Sequence, residues 1–227
     1  MPTESGTQGL QQLRLLQLFD SQFPIGAFAH SGGLETYGQS GAGVPALREL
    51  MANQIDLGWG RGDLAAACLA WTAAAGPDAN CALARLGSRV GAYKVIPSVR
   101  DTSIRLGSRT LSLVKRLYPE VVGSLQIAPP HHAVVVGAVG QRLELPVRQL
   151  LLAYAHSLVV GSLAAATRCM PVSPTQAQTL LVELQPRLVD AVDRVQANPE
   201  AALFTCTPAL DVRCHQQAFL HTRLFQS

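Results

Sequence analysis

The sequence predicts an all-α fold, a single compact bundle of roughly eight to ten helices. Three observations carry that expectation. Apolar residues recur at helical rather than alternating spacing, as in Leu180, Leu181, Leu184, Leu188, Val192 and Val195. Prolines, glycines and capping residues punctuate the chain where helices would start and stop. No strand-turn-strand pattern and no internal repeat interrupts this style.

Taken in order, residues 1–9 read as a disordered N-terminus, and Leu10, Leu13, Leu16 and Phe19 predict a helix over 10–20. A loop follows, and Leu34–Gln39 forms a helix ending at Gly41. Pro45 suits a first helical position, with helix to about Trp59. Asp63 can cap the alanine-rich run 64–75, which stops at Gly76-Pro77, and Asp78 can cap a helix to about residue 90. Residues 98–117 make another helix, and 118–130 read as a loop rich in proline and glycine. Residues 132–140 are ambiguous, because Val134–Val136 suits a strand. Pro146 opens a long apolar helix. Ser173-Pro174-Thr175-Gln176 is a capping box, and the helix after it is expected to kink at Pro186. Residues 197–209 read as a loop. The expected organisation is an α-helical domain over 10–206 and a C-terminal tail over 207–227 that binds a partner.

Composition narrows the class of function. Apolar residues make up 48% of the 227 and charged residues only 15%, which favours an oligomer or a permanent partner over a freely soluble monomer. The net charge of +3 is too small to point to nucleic acid. Five scattered cysteines without a C-x-x-C pair argue against a disulfide framework or a zinc ribbon. The start MPTESGTQG has no basic region leading into an apolar run, so a cytoplasmic protein is expected. Residues 149–167 lack formal charge and are long enough to test as a membrane span, but His156, Tyr154 and the serines among them fit a buried helix of a soluble bundle better.

The densest run of special residues is FPIGAFAHSGGLE, 23–35. A serine hydrolase using His30-Ser31 is one alternative, but the nucleophile elbow G-x-S-x-G is missing, since Ala29 stands two before Ser31. Gly26 and Gly32 lack the following Lys-Ser/Thr of a phosphate-binding loop. His131 and His132 are adjacent and would diverge by about 100° on a helix. No catalytic residue and no metal ligand is therefore assigned, and no cofactor is expected. A membrane-associated helical protein is the other alternative. Basic charge gathers in one block: eight Lys and Arg lie between residues 85 and 116 against Asp101 alone. Arg105 and Arg109 share a helical face there and suit an acidic protein partner.

QLFDSQFPIGAFAHSGGLETYGQSG resembles the N-terminal signature of the urease accessory protein family UreF, with Pro24, Gly26, Ser31, Gly33, Leu34 and Glu35 matching. The resemblance continues through RGDLAAACLAW at 61–71, RDTSIRLGSRTL at 100–111, the stretch from His131 to Val159, and the ending with Arg223, Leu224 and Phe225. Departures sit in the tail, where Cys214-His215 and Gln217-Ala218 replace the family's serine–methionine and histidine–glutamate, and His221-Thr222 its tyrosine and serine. His132 and Ala133 also depart from the common aromatic and proline. The resemblance implies an all-α, cytoplasmic, homodimeric protein that is not an enzyme. It implies binding to UreD (also called UreH) and the GTPase UreG, and nickel loading into apo-urease, without nucleic acid or membrane. The matching residues, with Arg105, Arg109 and His131, become the candidate partner-binding positions.

Overall fold

At the centre of the fold two helices made largely of small residues cross at close range. They are α4, Gly62–Ala74, and α8, His132–Arg142. Ala65, Ala66, Ala67 and Ala70 of α4 and Ala133 and Ala138 of α8 have no exposed surface. At the crossing Gly137 lies so near the Ala67 carbonyl oxygen that a Cβ there would overlap it. Small side chains are what let two helix backbones approach this closely, so the composition of these segments fixes their separation. The segment 132–140, ambiguous by its valines, is therefore helix. Val134, Val135 and Val136 are buried, and packing on every side outweighs the mild preference of β-branched residues for strands.

The computed structural model describes residues 4–226, and these contain no strand. The other helices wrap this pair: α1 (Glu4–Leu18), α2 (Leu34–Gln39), α3 (Val44–Leu57), α5 (Ala79–Tyr93), α6 (Pro97–Leu117), α9 (Val147–Cys169), α10 (Pro174–Ala197) and α12 (Pro208–Gln216). Two single turns, α7 (Pro119–Val122) and α11 (Pro199–Ala202), lie inside the stretches expected to be loops. Both begin with proline at a first helical position. Nine of these helices have seven residues or more.

Several elements differ in detail from the sequence expectation. α1 starts at Glu4, earlier than residue 10, and the part of the expected disordered N-terminus at residues 1–3 lies outside the described residues. Its inward face is Leu15, Leu18 and Phe19, whereas Leu10, Leu13 and Leu16 point to solvent. Asp63 does not cap α4. It sits inside the first turn and pairs with Lys94 at 2.9 Å, both side chains being about one-tenth exposed. The capping box at Ser173 is present in both directions, Gln176 N–H donating to Ser173 Oγ and Ser173 N–H to Gln176 Oε1. α10 continues through Pro186.

The apolar helix α9 is long and apolar enough to cross a membrane by length and composition. In the fold it lies against α10, α2, α4 and α8. Leu150, Leu151, Tyr154, Ala155, Val159, Leu163, Ala165 and Ala166 are buried there.

Candidate functional site

The signature stretch folds as a turn and a helix that together hold the end of the chain. Gly26 takes a left-handed conformation (φ 80°) and starts a single 3-10 turn, Ala27–Ala29. Gly33 repeats the left-handed conformation (φ 89°) and starts α2. At Gly33 a side chain would meet strain and substance at once: a Cβ would stand 2.9 Å from Cys214 Sγ and 3.0 Å from Leu210 Cδ1. Both neighbours belong to α12, so this glycine is where the tail helix seats on α2.

Gln217, only 2% exposed, binds the signature from the tail side. Its amide oxygen accepts from the Gly33 N–H at 3.1 Å, and its Nε2 donates to Ser31 Oγ at 2.9 Å and to Glu35 Oε2 at 3.3 Å. Glu35 is also 2% exposed. Its carboxylate accepts the backbone N–H of Leu224 at 2.6 Å and of Phe225 at 3.4 Å. Gln226 N–H donates to the Ala29 carbonyl at 2.9 Å, and Thr36 Oγ1 to the Arg213 carbonyl at 3.1 Å. Phe225 is buried under the Arg168 guanidinium, whose carbon lies 4.6 Å from the ring centroid. Arg168 also donates to the Phe28 carbonyl at 3.0 Å. A buried carboxylate receiving backbone N–H groups is a stable way to hold an anion without a cation.

The candidate positions thus divide. Ser31, Gly33, Leu34, Glu35 and Phe225 are buried inside this chain, and His131 has no exposed surface at all. None of these is open to direct contact from outside in this conformation. Pro24, Arg105, Arg109, Arg223 and Leu224 are exposed, and Gly26 is half-buried. Arg109 donates to the Ile25 carbonyl at 3.2 Å, which ties α6 to the signature turn. Within the basic block, Arg89 is paired with Glu200 and Lys94 with Asp63, so its free positive charge is smaller than the count suggests. The tail, expected to be ordered by a partner, packs on its own bundle. Cys214 and Phe225 find apolar cover on α2 and α9 that costs no second molecule. Gln217 stood out in the sequence only as a departure from the family's tail, because a lone glutamine carries no spacing signal of its own.

Chemically the site is quiet. The Ser31 hydroxyl is engaged by an amide, which is no general base. Burial, with Arg105 and Arg109 nearby, lowers the proton affinity of His30. Burial, reinforced by Asp211, pushes the Cys214 thiol up to about 12, and burial pushes Cys169 up to about 11, so both stay protonated and unreactive. Among the described residues no three His, Cys, Asp or Glu side chains are grouped to hold a metal ion.

The paired histidines have a different consequence. His131 Nδ1 lies 3.1 Å from Ser103 Oγ, and His132 Nδ1 lies 3.4 Å from Tyr154 Oη. Burial pushes both down to about 4, Lys94 adding to the effect at His131. Both are neutral in the folded protein at pH 7, while the unfolded chain takes up these protons near 6.5. The unfolded state therefore binds more protons below 6.5. Stability is complete above that value and falls as the pH drops toward 4, by roughly 1–3 kcal/mol per histidine. Thermal melts from pH 7.5 to 4.5 should show this slope, and His132→Gln should flatten it. A melting temperature independent of pH over that range would contradict the burial of these rings.

The UreF family model matches residues 43–185, a span that begins after the signature stretch and ends before the tail. Similarity to whole relatives reaches further. The chain is 31% identical to the urease accessory protein UreF of Actinobacillus pleuropneumoniae over 224 residues, covering 94% of this chain and 97% of the relative. It is 30% identical to that of Pseudoalteromonas translucida over 232 residues, covering 100% and 97%. It is 26% identical to that of a Nostoc strain, covering 95% of both chains. With an all-α bundle, a signature turn latched to the tail, and full-length similarity of this kind, the chain belongs to the UreF family of urease accessory proteins.

Proposed function

We propose that this chain is a non-catalytic scaffold of urease maturation, which binds UreD (UreH) and, with it, the GTPase UreG, so that nickel is loaded into apo-urease in a GTP-dependent step. It works in the cytoplasm as a homodimer. One observation carries the reading within this family. The signature turn and the tail are latched together, and Phe28, Phe219 and Leu224 project from these two segments, each more than 70% exposed. Arg109 and Arg168 donate to carbonyls of the signature turn, and Arg105 lies near His30. Large apolar side chains together with arginine are the composition of a protein-binding surface, and arginine and aromatic residues are enriched where binding energy concentrates. The buried members of the signature hold these segments together.

Co-purification with UreD and UreG, followed by urease activation with and without this chain, tests the reading. The expected result is a complex containing all three proteins and activation that depends on this chain. Activation that proceeds equally without it would refute the scaffold role.

The arginines make a separate expectation. Charge reversal at both Arg105 and Arg109 should slow association with an acidic partner at low ionic strength, and the difference should shrink as salt is raised past about 0.15 M, where the screening length is about 8 Å. Stopped-flow or surface-based association rates read this directly. Equal rates for the variant and the parent at low salt would leave the two residues as an ordinary solvated face.

A further inference from the structure

Helix α1 lies at the surface of the bundle and is apolar on two sides. Its inner side is Leu15 and Leu18, continued by Phe19, packed against the core. Two polar ties fix the rotation of the helix about its own axis. Gln11 Nε2 donates to the Glu144 carbonyl at 2.6 Å, and Arg14 Nη1 to the Leu143 carbonyl at 3.1 Å. Gln11, Arg14, Leu15 and Leu18 follow helical spacing along one side. With that side pinned, Leu10, Leu13 and Leu16 face outward, 49%, 65% and 63% exposed. A helix with large apolar side chains on both sides belongs between two layers, and this chain supplies only one of them.

Charge and spacing define what covers the outer face. Between residues 5 and 18 the one charged side chain is Arg14, and it is turned to the Leu143 carbonyl and the Tyr118 ring. A second copy of this face therefore meets no like charge, whereas the arginines of α6 would repel their own copies. The leucines are also placed symmetrically. Leu10 and Leu16 lie three residues on either side of Leu13, so reversing the helix direction exchanges them and leaves Leu13 opposite itself. A two-fold contact needs this property, because the same patch must fit its own rotated image. Gly9 lies one turn from Leu13 on the same face, and a Cβ there would meet nothing, so a second helix can approach closely at that end.

We infer that the outer face of α1 is where two copies of this chain pair, antiparallel about a two-fold axis at Leu13, with Leu10 of each copy against Leu16 of the other. The inference rests on the homodimer of the proposed function and names the surface that builds it.

Sedimentation of the full chain with Leu13→Glu and Leu13→Arg tests the pairing. Each variant alone should dimerise at least tenfold more weakly than the parent, because like charges would face each other across the axis. An equal mixture of the two should form a dimer at least tenfold tighter than either alone, because a contact centred on Leu13 sets glutamate against arginine. Leu13 is mostly exposed, so the far-UV circular dichroism of both variants should match the parent. Val182→Glu, at a similarly exposed position on α10, should dimerise as the parent does. A dimer indifferent to either charge at Leu13 would overturn the assignment to α1 and leave the homodimer standing. Single variants that dissociate and do not recombine on mixing would overturn the two-fold pairing. A parent chain that is monomeric alone would overturn the homodimer and this contact together, and loss of UreD capture by Leu13→Glu would then give the face to that partner.

Discussion

Gly137→Val is expected to destabilise the whole bundle by about 3 kcal/mol or more, at the upper end of what overpacking costs. The reason lies at the crossing of α4 and α8. A Cβ at residue 137 would overlap the Ala67 carbonyl oxygen and press on the Ala70 methyl, and neither belongs to a flexible side chain. Relief requires the two helices to separate, which opens gaps around Ala65, Ala66, Val134 and Ala138, all without exposed surface. Lost contacts then add to the strain. Since domains of this kind are stable by only about 5–15 kcal/mol, the variant should lose much of its margin. Urea unfolding read by far-UV circular dichroism would show a midpoint well below that of the parent. An unchanged midpoint would mean that the crossing is looser than described. A control at Gly161, where an added Cβ meets nothing, should leave the midpoint in place.

Glu35→Ala is expected to release the tail while sparing the bundle. The substitution leaves the N–H groups of Leu224 and Phe225 without their acceptor and takes one partner from Gln217. An unsatisfied buried donor costs about 1–3 kcal/mol, so losing several is enough to detach a short segment. The amides of Leu224 and Phe225 should then exchange with solvent faster by at least about tenfold, since each 1.4 kcal/mol is a factor of ten. Amides within α4 and α8 should keep their protection. On the proposed scaffold reading, capture of UreD should weaken in parallel, because the exposed residues of the tail would no longer be held beside the signature turn. Exchange at residues 224 and 225 as slow as in the parent would show that the carboxylate is not what holds the tail. Loss of protection throughout would place the tail in the core.

Most of the fold was legible in the sequence for simple reasons. α2 follows Gly33 and ends at Gln39 as its glycines indicate, and the capping box at Ser173 is realised in both directions. α8 was not legible, because three consecutive valines carry a local preference that only the surrounding helices overrule. Asp63 was misjudged for the same kind of reason: its position suits a cap, but Lys94 reaches it from the end of α5. The latch was hidden more deeply. Ser31 and Glu35 stood out as matches to a family signature, yet their partner Gln217 stood out only as a departure from the family's tail. Sequence order gives no sign that an amide near the end of the chain closes on a hydroxyl and a carboxylate near its start.

That long reach has a consequence for how the protein is made. Ser31 and Gln217 are separated by 186 positions, and Glu35 and Phe225 by 190. During synthesis from the N-terminus, at about 5–20 residues per second, the signature turn is finished many seconds before its partner exists. Throughout that interval the Glu35 carboxylate and the apolar seat for Phe225 stay open to water and to other chains. Gln217, Leu224 and Phe225 close them only once they have been made. A chain cut before Gln217 would carry the central helices with their founding turn still unsealed.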